Sequence, residues 1–402
     1  MRHQRTVSGY FSFAILLAGL FGAVPLLAQE IGQQAKQVES GRQDSPVRVV
    51  TAAEQEKIDR SVGLALKWLA SQQRPDGSFQ TQKHGQPGVT GLCVLAFLSQ
   101  GHLPGEGEYG DQLKRSVDYI ISCQKRNGIL AAVAPDGEKL SRAVEHRTGY
   151  TSVYNHAIAG LVLSECYGMV GAEQSKKIEP VIRKALDATC QMQDFRKDKK
   201  ADEGGWRYLD DFDEIDSDLS ITGWQLMFMR SANNAGFDVE AGRITRAVEY
   251  VHGCFLKKRG TFTYKDQKEN RASRAMAGAG VLALAHSGLH ETPEAQRAGD
   301  WILKSGFQNY NEPGSVKDIM VDRDRYHYGL LTCSLAMYQL GGRHWREYFP
   351  STARVLMENQ NKDGSWEPEI KRADRSFGNA YTTAIGVLTL STSNDLLPIF
   401  QR

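Results

Sequence analysis

Charge of one sign is missing from this chain: 49 Lys and Arg stand against 47 Asp and Glu in 402 residues. The balance gives no electrostatic ground for a nucleic-acid partner, whose phosphates reward a basic surface. Long apolar runs are missing too once residue 27 is passed. The later ones are broken by Gly and polar side chains before they reach the ~20 residues that a membrane span needs. Close cysteine pairs are also absent: Cys93, Cys123, Cys166, Cys190, Cys254 and Cys333 form no Cys-x-x-Cys, and each falls in an apolar helical segment. They read as core thiols. One pairing stays open in an exported chain, Cys93 with Cys123, because both should lie at the same end of neighbouring helices.

Export is what the N-terminus suggests. Arg2 and Arg5 precede a mostly apolar stretch, Phe11 to Leu27, and Leu26-Leu27-Ala28 has the form of a cleavage site. Residues 1–28 are therefore expected to act as a signal peptide cut near Ala28, placing the mature chain in the periplasm or outside the cell. The rival reading is a retained anchor. Cleavage removes two basic side chains and leaves 47 of each sign. Residues 29–50 are polar and Gln-rich without periodicity, which reads as a disordered lead-in. Residues 51–392 form the folded body and 393–402 a C-terminal tail.

What the body does contain is a repeated unit. Its clearest copies are Gln73-Arg74-Pro75-Asp76-Gly77-Ser78-Phe79 and Gln360-Asn361-Lys362-Asp363-Gly364-Ser365-Trp366. Degenerate copies run from Gln124 to Leu130 and through Gly204-Gly205-Trp206 and Gly260-Thr261-Phe262. Each closes an amphipathic helix and precedes an apolar one. The amphipathic helices are expected at 53–72, 111–124, 178–193, 241–256, 293–304 and 351–360. Their apolar partners are expected at 89–100, 152–168, 220–232, 274–286, 328–340 and 380–391. A capping box, Thr51-Ala52-Ala53-Glu54, opens the first helix, and Thr292 before Pro293 opens the fifth amphipathic one. Within the motif, Gly supplies a left-handed helix end, the aromatic plugs the gap between hairpins, and Gln bonds exposed helix ends. These are scaffold residues.

A helix without a polar face is buried on most sides. Six such hairpins are therefore expected to close into an all-α, α/α toroid, with the amphipathic helices outside and the apolar ones inside. An open solenoid of the same pairs would want polar capping repeats, and the chain shows no obvious ones. Closure brings the N-terminal ends of the inner helices to one mouth. The residues there are Thr90; Tyr150, Tyr154 and His156; Asp216, Asp218 and Trp224; Arg271 and Arg274; Tyr326, His327 and Tyr328; and Asn379 and Tyr381. Of these, Tyr154, His156, Trp224, Arg274, Tyr326, Tyr328 and Tyr381 are the ligand-binding candidates, since aromatic faces suit a cation or a sugar ring. Each has a plainer alternative: a packed ring, a core histidine, or an arginine paired with the acids before Asp218.

These motifs resemble the prenyltransferase and squalene-cyclase repeat family, over roughly residues 53–392. The resemblance implies a toroid with a central cavity, in a fold that serves terpene cyclases, protein prenyltransferases and thioester-containing complement-type domains. The Cys-Gly-Glu-Gln of the thioester branch is absent. In the protein prenyltransferases an Asp, a Cys and a His hold zinc. Asp324-Arg325-Tyr326-His327 is similar to the segment bearing that His, but no Asp lies two residues before any cysteine. A zinc site needs three protein ligands, so no metal and no cofactor is expected. Asp216-Ser217-Asp218-Leu219 is similar to the Asp-x-Asp-Asp of class II terpene cyclases, with Leu219 in the last place. The resemblance makes Asp218 the proton donor, Asp216 its partner, and His327 or His156 an orienting group.

The residues by themselves also allow a cap. Asp218 or Ser220 would then open the inner helix, where the helix dipole favours a charged carboxylate, and Asp216 would be solvated beside Asp210, Asp211, Asp213 and Glu214. That acidic run lacks the Gly and terminal Glu of an EF-hand calcium loop. The function expected is an exported, terpene-cyclase-like toroid that holds an isoprenoid-like molecule or a partner ligand in its centre. The alternatives are an acid-initiated cyclase or isomerase working through Asp218, and a carbohydrate lyase, hydrolase or sugar-binding toroid.

Overall fold

The computed structural model describes residues 49–142, 149, 151–209, 216–265, 272–312, 324–369 and 373–402. The expected signal peptide, most of the lead-in, Tyr150, Asp210, Asp211, Asp213, Glu214 and Arg271 lie outside the described residues. Twelve α-helices alternate between two roles among the described residues. The outer ones are α1 Ala52–Ser71, α3 Gly110–Ser122, α5 Ala172–Gln193, α7 Ala241–Gly253, α9 Pro293–Lys304 and α11 Gly342–Glu358. The inner ones are α2 Gly88–Leu98, α4 Ser152–Tyr167, α6 Leu219–Asn234, α8 Arg274–His286, α10 Tyr326–Leu340 and α12 Gly378–Leu390. Each inner helix packs on the next, and α12 returns to α2 and α1, so the ring closes as an α/α toroid.

Apolar patterning explains the two roles. In α3 only Gly110, Leu113, Ser116, Val117 and Ile120 are buried, a single stripe at helical spacing. All eleven residues of α2 are buried. Full burial of each Leu or Val side chain contributes about 1.5–3 kcal/mol, so the inner ring is the core. The capping box forms: the Glu54 amide donates to Thr51 Oγ1 at 3.2 Å and the Thr51 amide to Glu54 Oε2 at 2.8 Å.

The repeated motif is the clamp between hairpins. Gln73 Nε2 donates to the Gln112 carbonyl at 2.7 Å and to Ser116 Oγ at 2.8 Å, both on α3. Gln360 Nε2 donates to the Ser61 carbonyl at 2.9 Å, tying the last hairpin to α1. Gln124 and Gln193 reach the next outer helix in the same way, at Val181 and Arg243. Gly364, at φ +95°, lies so close to α1 that a Cβ would come within 2.5 Å of the Leu64 carbonyl oxygen. The aromatic that follows, Phe79, Trp206 or Trp366, is buried, and its amide donates to Thr90, Thr222 or Thr383 of the inner helix.

Three boundaries differ from those read off the sequence. Helices α5 and α11 begin several residues earlier than expected and run through Pro180 and Pro350. Each proline removes one amide donor and frees the carbonyl four residues back. Residues 176 and 346, which carry those carbonyls, are exposed. Residues 393–402, expected as a tail, pack on the body: Leu397, Ile399 and Phe400 are buried. Gln339 Nε2 donates to the Phe400 carbonyl at 2.9 Å, and the Ile399 amide donates to Glu165 Oε2 at 3.4 Å. Glu165, Ser231 and Gln339 sit at the C-terminal ends of α4, α6 and α10, so this segment covers the C-terminal end of the inner ring. All six cysteines are free, so Cys93 and Cys123 are not paired.

Candidate functional site at the N-terminal mouth of the inner ring

The N-terminal ends of α4, α6, α10 and α12 meet at the mouth. Tyr154 Oη donates to Ser220 Oγ at 3.0 Å, and Ser220 Oγ donates to Tyr328 Oη at 3.0 Å. Tyr328 stacks on Trp224 with centroids 6.3 Å apart and planes at 18°. Three inner helices are thus joined by one chain of hydroxyls backed by rings. Tyr154 also meets Tyr208 at 6.0 Å, and Tyr208 Oη lies 3.0 Å from Tyr264 Oη. Phe377 and Tyr381, 5.4 Å apart, extend the aromatic wall at the start of α12.

Asp218 is where the cap reading placed it. It precedes α6 with extended backbone, and its Oδ1 accepts from the Ile221 amide at 2.8 Å. Its Oδ2 accepts from Arg207 Nη1 at 2.6 Å. The side chain is wholly buried. Burial raises the Asp218 carboxyl above the usual range, and Arg207 and the Ile221 amide offset part of that. Burial also works against the charge on Arg207, but Asp218 and the Tyr264 and Tyr208 hydroxyls outweigh it and hold the guanidinium above its ordinary range. Arg207 further lies 4.0 Å over the Tyr208 ring. Two donors on a carboxylate with no exposure describe an ion pair and a helix cap.

Asp216 belongs to a different set. It pairs with Arg142 and accepts from the Asp198 amide at 2.7 Å. Burial disfavours its charge, yet those donors prevail and keep it below the usual carboxylate range. Lys197, which donates to the Asp216 carbonyl at 2.9 Å, is pushed down to about 8 by burial and by Arg142. All four carboxylate oxygens of Asp216 and Asp218 accept from other partners, so the two do not share a proton in the manner of a carboxylate dyad.

The remaining candidates divide. Arg274 sits behind the mouth in a closed set: Nε donates to Asp324 Oδ2 at 2.9 Å, its backbone amide to Oδ1 at 3.0 Å, and Nη2 to the Glu312 carbonyl at 2.7 Å. It stacks 4.0 Å over Phe307 and 5.4 Å over Tyr326, which accounts for Tyr326 as well. Arg274 therefore pairs with Asp324; the acids Asp210, Asp211, Asp213 and Glu214 lie outside the described residues. His156 is also removed from the mouth. Its Nδ1 accepts from the Leu130 amide at 3.1 Å and its Nε2 meets Thr189 Oγ1 at 3.0 Å. This is the place that Thr90, Thr222 and Thr383 take in other hairpins, and burial drives the imidazole down to about 3. Thr90 is likewise a scaffold residue. His327 faces Tyr310 Oη at 3.1 Å and lies 3.6 Å from Glu369 Oε1. Burial keeps it below its usual value, with Glu369 acting in the opposite sense.

Sequence reasoning missed a second carboxylate centre. Asp374 precedes α12; its Oδ1 is 3.8 Å from Arg325 Nη1, and its Oδ2 accepts from Tyr381 Oη at 3.5 Å. Burial and then the charge of Glu369 push it up to about 6, against Arg325 and the Tyr381 hydroxyl. The Tyr328 hydroxyl feels both Asp218 and Asp374, which places the two centres at one mouth. Arg207, Tyr208, Tyr264, Glu369 and Asp374 all come from segments leading into inner helices. The signal that could have found them is that position in the repeat. No group of three or more His, Cys, Asp or Glu suited to a metal occurs among the described residues, and no described helix is long and apolar enough to cross a membrane.

No protein-family model matches the chain, and no curated protein sequence matches it. Solved structures do. A variant of the type II terpene cyclase MstE from Scytonema, in complex with geranylgeranyl dihydroxybenzoate, aligns over 87% of this chain and 100% of its own, with TM-score 0.54 and 14% identity. The cellobiose 2-epimerase of Bacillus thermoamylovorans aligns over 85% and 99%, with TM-score 0.59 and 11% identity. An α-amylase from Clostridium perfringens aligns over 83% and 97%, with TM-score 0.52 and 10% identity. At these identities the likeness shows the fold, a terpene-cyclase-like α/α toroid shared by enzymes of different chemistry.

Proposed function

We infer that the protein binds a small, isoprenoid-like molecule at this mouth, apolar along its body and bearing one polar head. The observation that carries the reading is the hydroxyl chain Tyr154–Ser220–Tyr328 with Trp224 stacked behind it. Flat rings offer apolar area, and the linked hydroxyls can donate to or accept from a neutral head group. The wholly buried Asp218–Arg207 pair orders the wall without presenting charge to the ligand. Ligand capture outside the cytoplasm fits the signal-like N-terminus. Proton donation by Asp218 has less support, since both of its oxygens already accept hydrogen bonds and its side chain is closed off.

Purified protein incubated with a membrane lipid extract and re-isolated should retain isoprenoid species identifiable by mass spectrometry. Trp224→Ala and Tyr328→Ala should each retain up to about tenfold less, since an aromatic contact contributes about 0.5–1.5 kcal/mol beyond its area. Retention that is absent in the wild type, or indifferent to both changes, overturns the reading. Preferential retention of oligosaccharides would move it to the carbohydrate alternative. Conversion of one retained species alike by wild type and Asp218→Asn would exclude Asp218 as the acid.

A further inference from the structure

Among the described residues, the wall at the start of α12 is short of one positive charge. Glu369 is 3% exposed; its Oε1 accepts from the His327 amide at 3.0 Å, while its Oε2 has no hydrogen-bond partner among the described residues. His327, 1% exposed, has its Nδ1 equally unpartnered, 3.6 Å from Glu369 Oε1. Beside them stands Asp374, its side chain 15% exposed. Among the described residues, the one guanidinium paired with either carboxylate is that of Arg325, 3.8 Å from Asp374. The other guanidinium near the mouth and the one behind it are engaged elsewhere, Arg207 with Asp218 and Arg274 with Asp324. Around the deficit stand Phe377, Tyr381 and Tyr328.

We propose that Asp374 and Glu369, walled by Tyr381, Phe377 and Tyr328, form a subsite for an ammonium group, so that the ligand's polar head is a protonated amine. Two carboxylates with one distant counter-charge attract a compact cation, and aromatic faces add to that attraction where water is displaced. The inference rests on the isoprenoid-like reading for the ligand's body and adds the chemistry of its head. Without ligand, a proton fills the same deficit. Among the described residues, the groups that face Asp374 are Glu369, Arg325, Tyr381 and Tyr328, with His327 behind Glu369. Among them Asp374 is the carboxyl held up to about 6. Ammonium binding near pH 6 must therefore displace a proton, and the preference for amine must fade as pH falls below that point.

The test compares geranylamine, geraniol and benzylamine by titration calorimetry on the full-length wild type, in buffers of different ionisation enthalpy at pH 6.0 and 7.5. Geranylamine should bind about tenfold tighter than geraniol at pH 7.5, as one partly desolvated ion pair of ~1.4 kcal/mol gives. It should also release about half a proton at pH 6.0, where Asp374 is half protonated, a readout that needs no variant. Asp374→Asn and Glu369→Gln, checked for folding by circular dichroism, should reduce the preference to about threefold or less. Equal affinity for amine and alcohol with no proton release overturns the ammonium subsite and leaves the apolar reading standing. Binding of benzylamine without either geranyl compound supports the subsite and overturns the isoprenoid-like body. Failure of all three overturns both.

Discussion

Two carboxylates act on the same tyrosine hydroxyl, that of Tyr328, yet they are opposite cases. Asp218 is wholly buried and fully matched, with Arg207 on one oxygen and the helix amide of Ile221 on the other. Asp374 is partly reachable and poorly matched, with Arg325 at 3.8 Å, Tyr381 at 3.5 Å, and the like charge of Glu369 nearby. The difference separates structure from function in this toroid. A satisfied charge holds α6 in place, whereas an unsatisfied one is free energy that a proton or a ligand can recover.

The sharpest way to break this comparison is to remove the counter-charge at the matched site. Arg207→Met leaves Asp218 buried without its cation and should cost about 3–5 kcal/mol of stability. Urea unfolding at pH 7 would show it as a lower midpoint. Adding Asp218→Asn in the same chain should recover most of the loss, since Asn caps a helix nearly as well as Asp and no charge is then left unpaired. A cost for Arg207→Met no greater than that for Arg325→Met would mean that the two centres are not different in kind.

The matched centre was partly legible in the sequence and the unmatched one was not. The Gln…Asp-Gly-Ser-aromatic repeat gave the ring, because each copy forces the same clamp on the next outer helix. Ring closure then placed Tyr154, Asp218, Trp224, Tyr328 and Tyr381 at one mouth, where the structure has them. Arg207 escaped notice because it follows Trp206 outside any helix, where there is no periodicity to read. Glu369 and Asp374 escaped for the same reason: they flank the approach to α12, outside any helical stripe. His156 and Arg274 were misplaced because position along a helix says nothing of partners from other hairpins. His156 was claimed by Leu130 and Thr189, and Arg274 by Asp324.

The second effect has the opposite sign. Asp374 titrates near 3.8 when unfolded and about 6 when folded, so the folded state binds the extra proton between those values. Its contribution is then favourable below about pH 4 and is lost as pH rises through about 6. Asp374→Asn removes that loss and should stabilise the unliganded protein by about 1–2 kcal/mol at pH 7.5, with little change at pH 4. Thermal or urea unfolding at both pH values checks the sign. A destabilised variant at pH 7.5 would place Asp374 with Asp218, as a matched charge.

The smallest effect on stability belongs to Arg325→Met. The guanidinium is partly exposed, with 30% of its side chain accessible, and it sits 3.8 Å from Asp374. Such a pair contributes about 0–1 kcal/mol, so the unfolding midpoint should scarcely move. Its removal deepens the charge deficit, however. The Asp374 carboxyl should then titrate higher than in the wild type, and the pH-dependent fall in stability should extend further toward neutral. At pH 8, where the carboxyl is again ionised, the preference for geranylamine over geraniol should increase, because the ammonium no longer competes with the Arg325 guanidinium for Asp374. A variant in which stability holds while that preference declines would show that Arg325 helps to hold the ligand, and would reassign the deficit from the carboxylates to the guanidinium.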